Sequence, residues 1–121
     1  MDQATIESWV HDWPGVSHEV KWHDDLVFLV AGKMFCVYCF QGKYRGQVSF
    51  KVEDDRFLEI TDRPHIVPAP YMARAHWVSV LSSAAMPAEE LKALVRHSYE
   101  LVRNKLTKKI QRELDSGAAP Q

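Results

Sequence analysis

Four short strand-like segments follow one another in the first half of the chain, separated only by turns and one short loop. They span residues 16–22, 26–31, 34–40 and 47–52. The last of them alternates apolar and polar side chains, and the apolar ones are Val48, Phe50 and Val52. A period of two is typical of a strand with one buried face. Because the connections have hairpin length, the sequence predicts an antiparallel meander at the centre of the fold.

Two prolines constrain the segment that follows, over residues 66–80. Pro68 and Pro70 lack a backbone N–H group and push the preceding residues into extended geometry. We therefore predict a stiff extended crossing, a turn near residues 71–74 and a fifth strand over residues 77–81.

Apolar side chains at helical spacing predict a helix over residues 4–13 and a long one from about residue 86 to 114. Pro87 suits the first position of the long helix, and the acids after it suit its positive end. A short helix is expected over residues 53–60. The predicted fold is α+β, a five-stranded antiparallel sheet with the N-terminal and long C-terminal helices packed on one face.

The chain length of 121 residues predicts a single domain over residues 1–114, with residues 115–121 as a flexible tail. No apolar run approaches the ~20 residues that span a bilayer, and the start resembles no export signal. With two cysteines and no such signal, we expect a cytoplasmic protein without a membrane partner.

Charge is distributed unevenly although the formal net charge is only −1. Residues 92–112 hold one acid and seven cations: Lys92, Arg96, Arg103, Lys105, Lys108, Lys109 and Arg112. Residues 53–62 hold five acids and one arginine. The basic segment predicts a face for a phosphate-bearing partner. The alternative is a solvated helix exterior whose cations lie toward the C-terminal end that the helix dipole favours.

No pattern in the sequence indicates catalysis. Cys36 and Cys39 lie inside a predicted strand, and their odd separation puts the sulfur atoms on opposite faces, so we predict buried free thiols. The six histidines lack ligand spacing, and no nucleophile elbow, phosphate-binding glycine loop or dinucleotide motif is present. We predict no enzyme, no cofactor and no metal site.

An aromatic pair with a cation stands in the second half of the chain. Tyr71 and Trp77 flank Arg74, a combination typical of nucleic-acid or peptide contacts, with core packing as the alternative. A ligand pocket formed by Trp22, Tyr71, His76 and Trp77 is a further alternative.

An ordered set of short motifs covers nearly the whole chain. The motifs are Pro14-Gly15-Val16, Phe28 with Gly32-Lys33-Met34-Phe35, Ser49-Phe50-Lys51, Val67-Pro68-Ala69-Pro70-Tyr71 with Arg74-Ala75-His76-Trp77, Pro87-Ala88-Glu89-Glu90-Leu91, and His97-Ser98-Tyr99-Glu100-Leu101-Val102. With these motifs the chain resembles the MmcQ/YjbR family. The resemblance implies a frataxin-like α+β sandwich and a DNA-binding role.

The first functional hypothesis is therefore a non-enzymatic DNA-binding protein whose basic face is directed at phosphates. Its predicted contact residues are Lys33, Lys51, Arg74, His76, Trp77, Arg96 and Arg103. The second hypothesis is a protein-interaction or regulatory module without nucleic-acid binding, using the Tyr71, Arg74 and Trp77 side chains. The third is weak metal binding by acids of the first helix and of residues 53–62.

Overall fold

The computed structural model describes residues 2–70 and 72–116, which form an α+β fold with a six-stranded antiparallel sheet and four α-helices. The strands are β1 (Val16–Lys21), β2 (Asp25–Val30), β3 (Lys33–Cys39), β4 (Val48–Lys51), β5 (Ile66–Pro68) and β6 (Trp77–Val80). The helices are α1 (Gln3–Val10), α2 (Phe57–Thr61), α3 (Ala88–Arg103) and α4 (Lys108–Asp115). The strands are ordered β1-β2-β3-β4-β6-β5, so the predicted meander of the first four strands is confirmed.

The prediction of five strands is wrong, because residues 66–68 form an additional strand. Ile66 pairs with Val80 and Pro68 pairs with Val78, which places β5 at the edge of the sheet. An edge position is where a strand tolerates proline, since one side of its backbone needs no partner. The predicted fifth strand is therefore β6.

The prediction of one long C-terminal helix is also wrong. The helix ends at Arg103, and α4 begins after Thr107, whose Oγ1 accepts a hydrogen bond from the Ile110 N–H at 3.2 Å. Such N-cap bonds start a new helix by satisfying one of its unpaired N–H groups. Asp115, which was expected in a flexible tail, belongs to α4, and residues 117–121 lie outside the described part of the chain.

All four helices contribute to one hydrophobic core with the sheet, which we call the helix-side core. Ile6 of α1, Ile60 of α2, Leu94 of α3 and Leu114 of α4 are buried in it against the face of the sheet that includes Phe28. The expected packing of the N-terminal and C-terminal helices on one face is thus confirmed.

The opposite face of the sheet, which we call the open face, is covered only in part, by residues of the chain segment that joins β5 to β6. Ala69 and Trp77 pack there with Val27, Leu29 and Val37, and Met72 lies against them. The predicted extended crossing therefore covers part of the open face.

A β-bulge and a serine hydroxyl fix the junction of sheet and helix. Met34 pairs with Leu29 and Cys36 with Phe28, which leaves Phe35 as the extra residue of β3. Next to the bulge, the Lys51 N–H donates to Ser98 Oγ at 3.0 Å, and that hydroxyl donates to the Phe35 carbonyl at 2.6 Å. Ser98 thereby holds α3 over this end of β3 and β4.

Candidate functional site

Three of the predicted cations lie at the same end of the sheet. Lys33 follows the β2–β3 turn, and the antiparallel pairing of β3 with β4 brings Lys51, the last residue of β4, to the same side. Trp77, the first residue of β6, pairs with Lys51, so the turn that carries Arg74 also lies there. The Lys51 ammonium donates a hydrogen bond to the Ala75 carbonyl, which joins β4 to that turn.

The turn between α3 and α4 adds further cations to this end. Burial is the main reason that the pKa of Lys51 lies below its usual range, and the positive charge of Lys105 lowers that pKa further, while Asp54 opposes the shift. The charge of Lys105, which is exposed, therefore acts on the Lys51 ammonium group. Ser98 fixes α3 above the end of β4 shortly before this helix ends at Arg103.

Lys108 and Lys109 occupy the first turn of α4, and both are exposed. Their backbone N–H groups are among the first of the helix and have no intrahelical acceptor. The dipole makes this end of a helix positive, so cations there are unfavourable unless an anion is bound. We use the name basic end for the set Lys33, Lys51, Arg74, Lys105, Lys108 and Lys109.

Arg96, another predicted contact residue, is engaged within the protein. Its guanidinium group lies 5.0 Å from the ring centre of Trp13 and 4.7 Å from that of Tyr99, and its Nε is 3.6 Å from a Glu100 oxygen. Stacking and ion pairing both hold the side chain in place. Arg96 therefore acts first as a packing residue between α3 and the N-terminal segment.

Arg103 also has an internal partner, because its guanidinium group pairs with the Asp115 carboxylate at the end of α4. Arg96 and Arg103 line the same cavity of about 390 Å³. The structure thus brings these two predicted residues together, but it provides each of them with a carboxylate.

His76 and Trp77 have different environments although they are neighbours. His76 adopts a left-handed backbone with φ of 60°, its Nδ1 is 2.5 Å from Asp54 Oδ1, and its ring contacts Phe57 edge-on at 5.2 Å. Trp77 is only 5% exposed, so its ring has no free face for stacking on a base. Tyr71 lies outside the described residues.

Acids from the predicted negative segment lie beside the basic end and face histidines. Glu53 Oε1 is 2.7 Å from His97 Nε2, and Asp54 pairs with His76 as described. None of the six cations of the basic end has a carboxylate within ion-pair distance among residues 2–70 and 72–116. The basic end is therefore available to an external anion.

The sequence prediction missed three residues of the basic end as contact residues. Lys105, Lys108 and Lys109 were counted in the basic segment, but their position depends on the break before α4. The signal for that break is Thr107, a good N-cap residue that stands just before two lysines.

Both cysteines are free and buried, as predicted. Cys36 belongs to the helix-side core, where burial raises the pKa of its thiol to about 12, whereas Cys39 lies on the side of the open face. In the described part of the chain, no group of three or more His, Cys, Asp or Glu side chains is placed to hold a metal ion. The same part contains no helix with the length and apolar character needed to cross a bilayer.

A family model described as YjbR matches residues 11–101. The crystal structure of the Deinococcus radiodurans protein DR2400, with the family domain DUF419, is similar with a TM-score of 0.78 and 28% identity, over 91% of this chain and 85% of that one. A Pseudomonas syringae protein, the structural-genomics target PsR293, is similar in fold with a TM-score of 0.69 and 21% identity, over 84% of this chain and 98% of its own. No curated protein matches the chain.

Proposed function

The chain belongs to the YjbR family, and we propose that it is a non-enzymatic DNA-binding protein that contacts duplex phosphates through its basic end. Lysine and arginine side chains that contact phosphates position a protein on the duplex but read little of its sequence. The proposed binding is therefore electrostatic. It is restricted to the basic end, because the net charge of the whole chain is −1 and the protein as a whole does not attract DNA.

One observation carries the proposal, which is the break between α3 and α4. In one continuous helix, these cations would approach the C-terminal end, where the helix dipole stabilises them without any ligand. The break instead places Lys108 and Lys109 at the N-terminus of α4. There the dipole, the unpaired N–H groups and the ammonium groups all attract an anion, and a phosphate group satisfies all three.

The neighbouring cations extend this anion site along the end of the sheet. The charge of Lys105 acts on Lys51, and the Lys51 ammonium contacts the turn that carries Arg74. Several separate cations can contact more than one phosphate of a duplex, whereas a single small anion would engage only some of them.

Charge reversal at two positions tests the proposal. Fluorescence anisotropy with a labelled duplex at about 50 mM salt compares wild type, Lys108→Glu/Lys109→Glu and a control, Lys43→Glu/Arg45→Glu. The control makes the same charge change in the β3–β4 loop, at the other end of the sheet. We expect at least about tenfold weaker binding for the first variant and a change within about twofold for the control. Equal losses in both variants, or no binding by wild type, contradict the proposal.

A protein-interaction module is the second candidate, and one side chain favours it. Leu58 on α2 is 78% exposed, whereas Ile60 of the same helix is buried. In this candidate function, the Leu58 side chain is the apolar contact for a protein partner. Affinity capture that compares wild type with Leu58→Asp tests this candidate, and identical partner sets for the two forms count against it.

A further inference from the structure

A groove of about 610 Å³ lies on the open face, toward the end of the sheet opposite the basic end. It is bounded by the β1–β2 turn, the β3–β4 loop and the segment that follows β5. Its lining includes Trp22, Tyr44, Val37, Met72, Asp25 and Ser79. Sites for small molecules have this size and this composition, a largely apolar surface with a few polar groups.

Two aromatic side chains at the groove are displayed to solvent. Trp22 is 62% exposed and Tyr44 is 57% exposed. Trp22 and the following His23 have φ angles of 53° and 69°, in the left-handed region that bulky residues rarely adopt. Strained backbone of this kind occurs preferentially at functional sites. A large ring that is exposed on strained backbone contributes little to the stability of the free protein, whereas a ligand in the groove would cover it.

The geometry of the groove is set before any ligand binds. Gln41 Nε2 donates to the His23 carbonyl at 2.9 Å, and the Phe40 N–H donates to the Asp24 carbonyl at 2.9 Å. These bonds hold the β3–β4 loop against the β1–β2 turn. Gly42 has a φ of +84°, and a Cβ atom there would lie 2.9 Å from Asp24 Oδ2. The carboxylate of Asp24 therefore occupies space that only a glycine leaves open.

Two adjacent carboxylates at the groove have no cationic partner within the described residues. Asp24 and Asp25 both line it, while the neighbouring Lys21 pairs with Glu19 at 3.2 Å. Burial raises the pKa of Asp25, and the charge of Asp24 raises it further, against a weaker opposing effect of a hydrogen bond from Cys39. The charge of a bound cation would oppose both effects, because it favours the ionised carboxylates.

Hydroxyl groups provide a neutral hydrogen-bonding position on the groove surface. Ser49 Oγ and Ser79 Oγ are 2.8 Å apart, and both residues line the groove. One bond between two hydroxyls uses only one of their two protons. The second proton is available to an acceptor atom of a ligand.

We propose that this groove binds a small organic cation in which an amine is attached to a flat apolar body. The flat body lies against Trp22, Tyr44 and Met72, and the ammonium group faces Asp24 and Asp25. Aromatic faces and carboxylates both attract cations, and the rings already show this preference, since Lys21 lies 5.8 Å from the Trp22 ring centre and Lys43 lies 5.5 Å from that of Tyr44. The proposal does not depend on DNA binding, because the residues that line the groove include none of the six cations of the basic end.

Three probes with the same indole ring and different charge test the proposal. Tryptamine is a cation, tryptophol is neutral and indole-3-acetate is an anion at neutral pH. Nuclear magnetic resonance titrations of the ¹⁵N-labelled protein follow the Trp22 indole N–H and the Ser79 amide. We expect saturable shifts at both positions, with a Kd for tryptamine at least about tenfold below that for indole-3-acetate and with tryptophol between them.

Two variants separate the roles of charge and ring. Asp25→Asn should raise the Kd for tryptamine toward that for tryptophol, whereas Asp12→Asn, at an exposed acid after α1, should leave it unchanged. Tyr44→Ala should weaken the binding of all three probes, and that of tryptamine most. Equal affinity for amine and acid, a preference for tryptamine that Asp25→Asn does not reduce, or shifts confined to residues outside the groove would overturn the proposal.

Discussion

A single buried hydroxyl connects α3 to the bulge near the start of β3. Ser98 is fully buried, accepts from the Lys51 N–H and donates to the Phe35 carbonyl. Removing it leaves a buried donor and a buried acceptor unpaired, so we expect Ser98→Ala to lower the free energy of unfolding by about 1–3 kcal/mol. Urea denaturation measures this change. Ser8→Ala, at an exposed serine of α1, should stay within about 0.5 kcal/mol. Similar losses in both variants would mean that the Ser98 bonds contribute nothing specific.

The Cys36 thiol should be chemically inert in the folded protein. Burial raises its pKa to about 12, which leaves almost no reactive thiolate at pH 8, and the side chain is fully buried. Mass spectrometry after iodoacetamide treatment at pH 8 should therefore find Cys36 unmodified in buffer and modified in denaturant. Modification of Cys36 in buffer at the rate of a free thiol would contradict its placement in the helix-side core.

Among the helices, the start of α4 depends on the Thr107 cap. Its side chain satisfies the Ile110 N–H, so Thr107→Ala should cost about 1 kcal/mol and should speed amide hydrogen exchange in α4 more than in α3. Thr61→Ala in α2 is the control, since its hydroxyl bonds only to carbonyls within its own helix. If exchange in α4 does not change, the helix starts for another reason.

An ion pair ties the start of α3 to the segment before β5. Arg63 donates two hydrogen bonds to the Glu90 carboxylate at 2.8 and 2.9 Å, and it lowers the pKa of Glu90. Because the pKa of Glu90 is lower in the folded protein than its unfolded-state value of 4.5, the ion pair adds stability at pH values above 4.5. This stability is lost as pH falls through the folded-state pKa of Glu90. Both side chains are more than one-third exposed by side-chain area, at 34% and 39%, so solvent screens the pair.

We therefore expect Glu90→Gln to cost about 0.5–1 kcal/mol near pH 7 and progressively less as pH falls below 4.5. Glu89→Gln in the same helical turn removes a similar dipole interaction but no ion pair, so the difference between the two variants isolates the pair. Denaturation midpoints measured across pH test the expectation. A difference that persists unchanged into acid would contradict it.

The sequence predicted some elements and missed others for identifiable reasons. The first four strands were predictable because alternation and hairpin turns are local signals. The strand β5 was not, since three residues that include Pro68 are too few to show a period. The helix break was hidden because Val102, Leu106 and Ile110 continue the helical spacing of apolar residues across it.

Three residues of the basic end, Lys33, Lys51 and Arg74, were among the contact residues predicted from the sequence, and the strand order brings them to one end of the sheet. The partner of Arg103 could not be anticipated, because Asp115 approaches it only after the chain turns at the break. Trp77 is buried because the segment after β5 covers the open face, and that contact is tertiary.

The molecule as a whole separates two surfaces of different chemistry. The basic end presents cations to solvent, and the groove at the other end presents aromatic rings and two carboxylates. The net charge of the chain is −1, so it explains the charge of neither surface. Both surfaces depend on how the fold arranges charged side chains locally. DNA binding should therefore respond to charge changes at one end only.

The salt dependence of DNA affinity tests the central claim most directly. Contacts between the six cations of the basic end and phosphates predict that the logarithm of the association constant falls with the logarithm of salt concentration with a slope of about −5.4. Lys108→Glu/Lys109→Glu should reduce the magnitude of this slope by about two, whereas Lys43→Glu/Arg45→Glu should leave it unchanged. Equal slopes for wild type and the first variant would show that the turn between α3 and α4 does not contact phosphate.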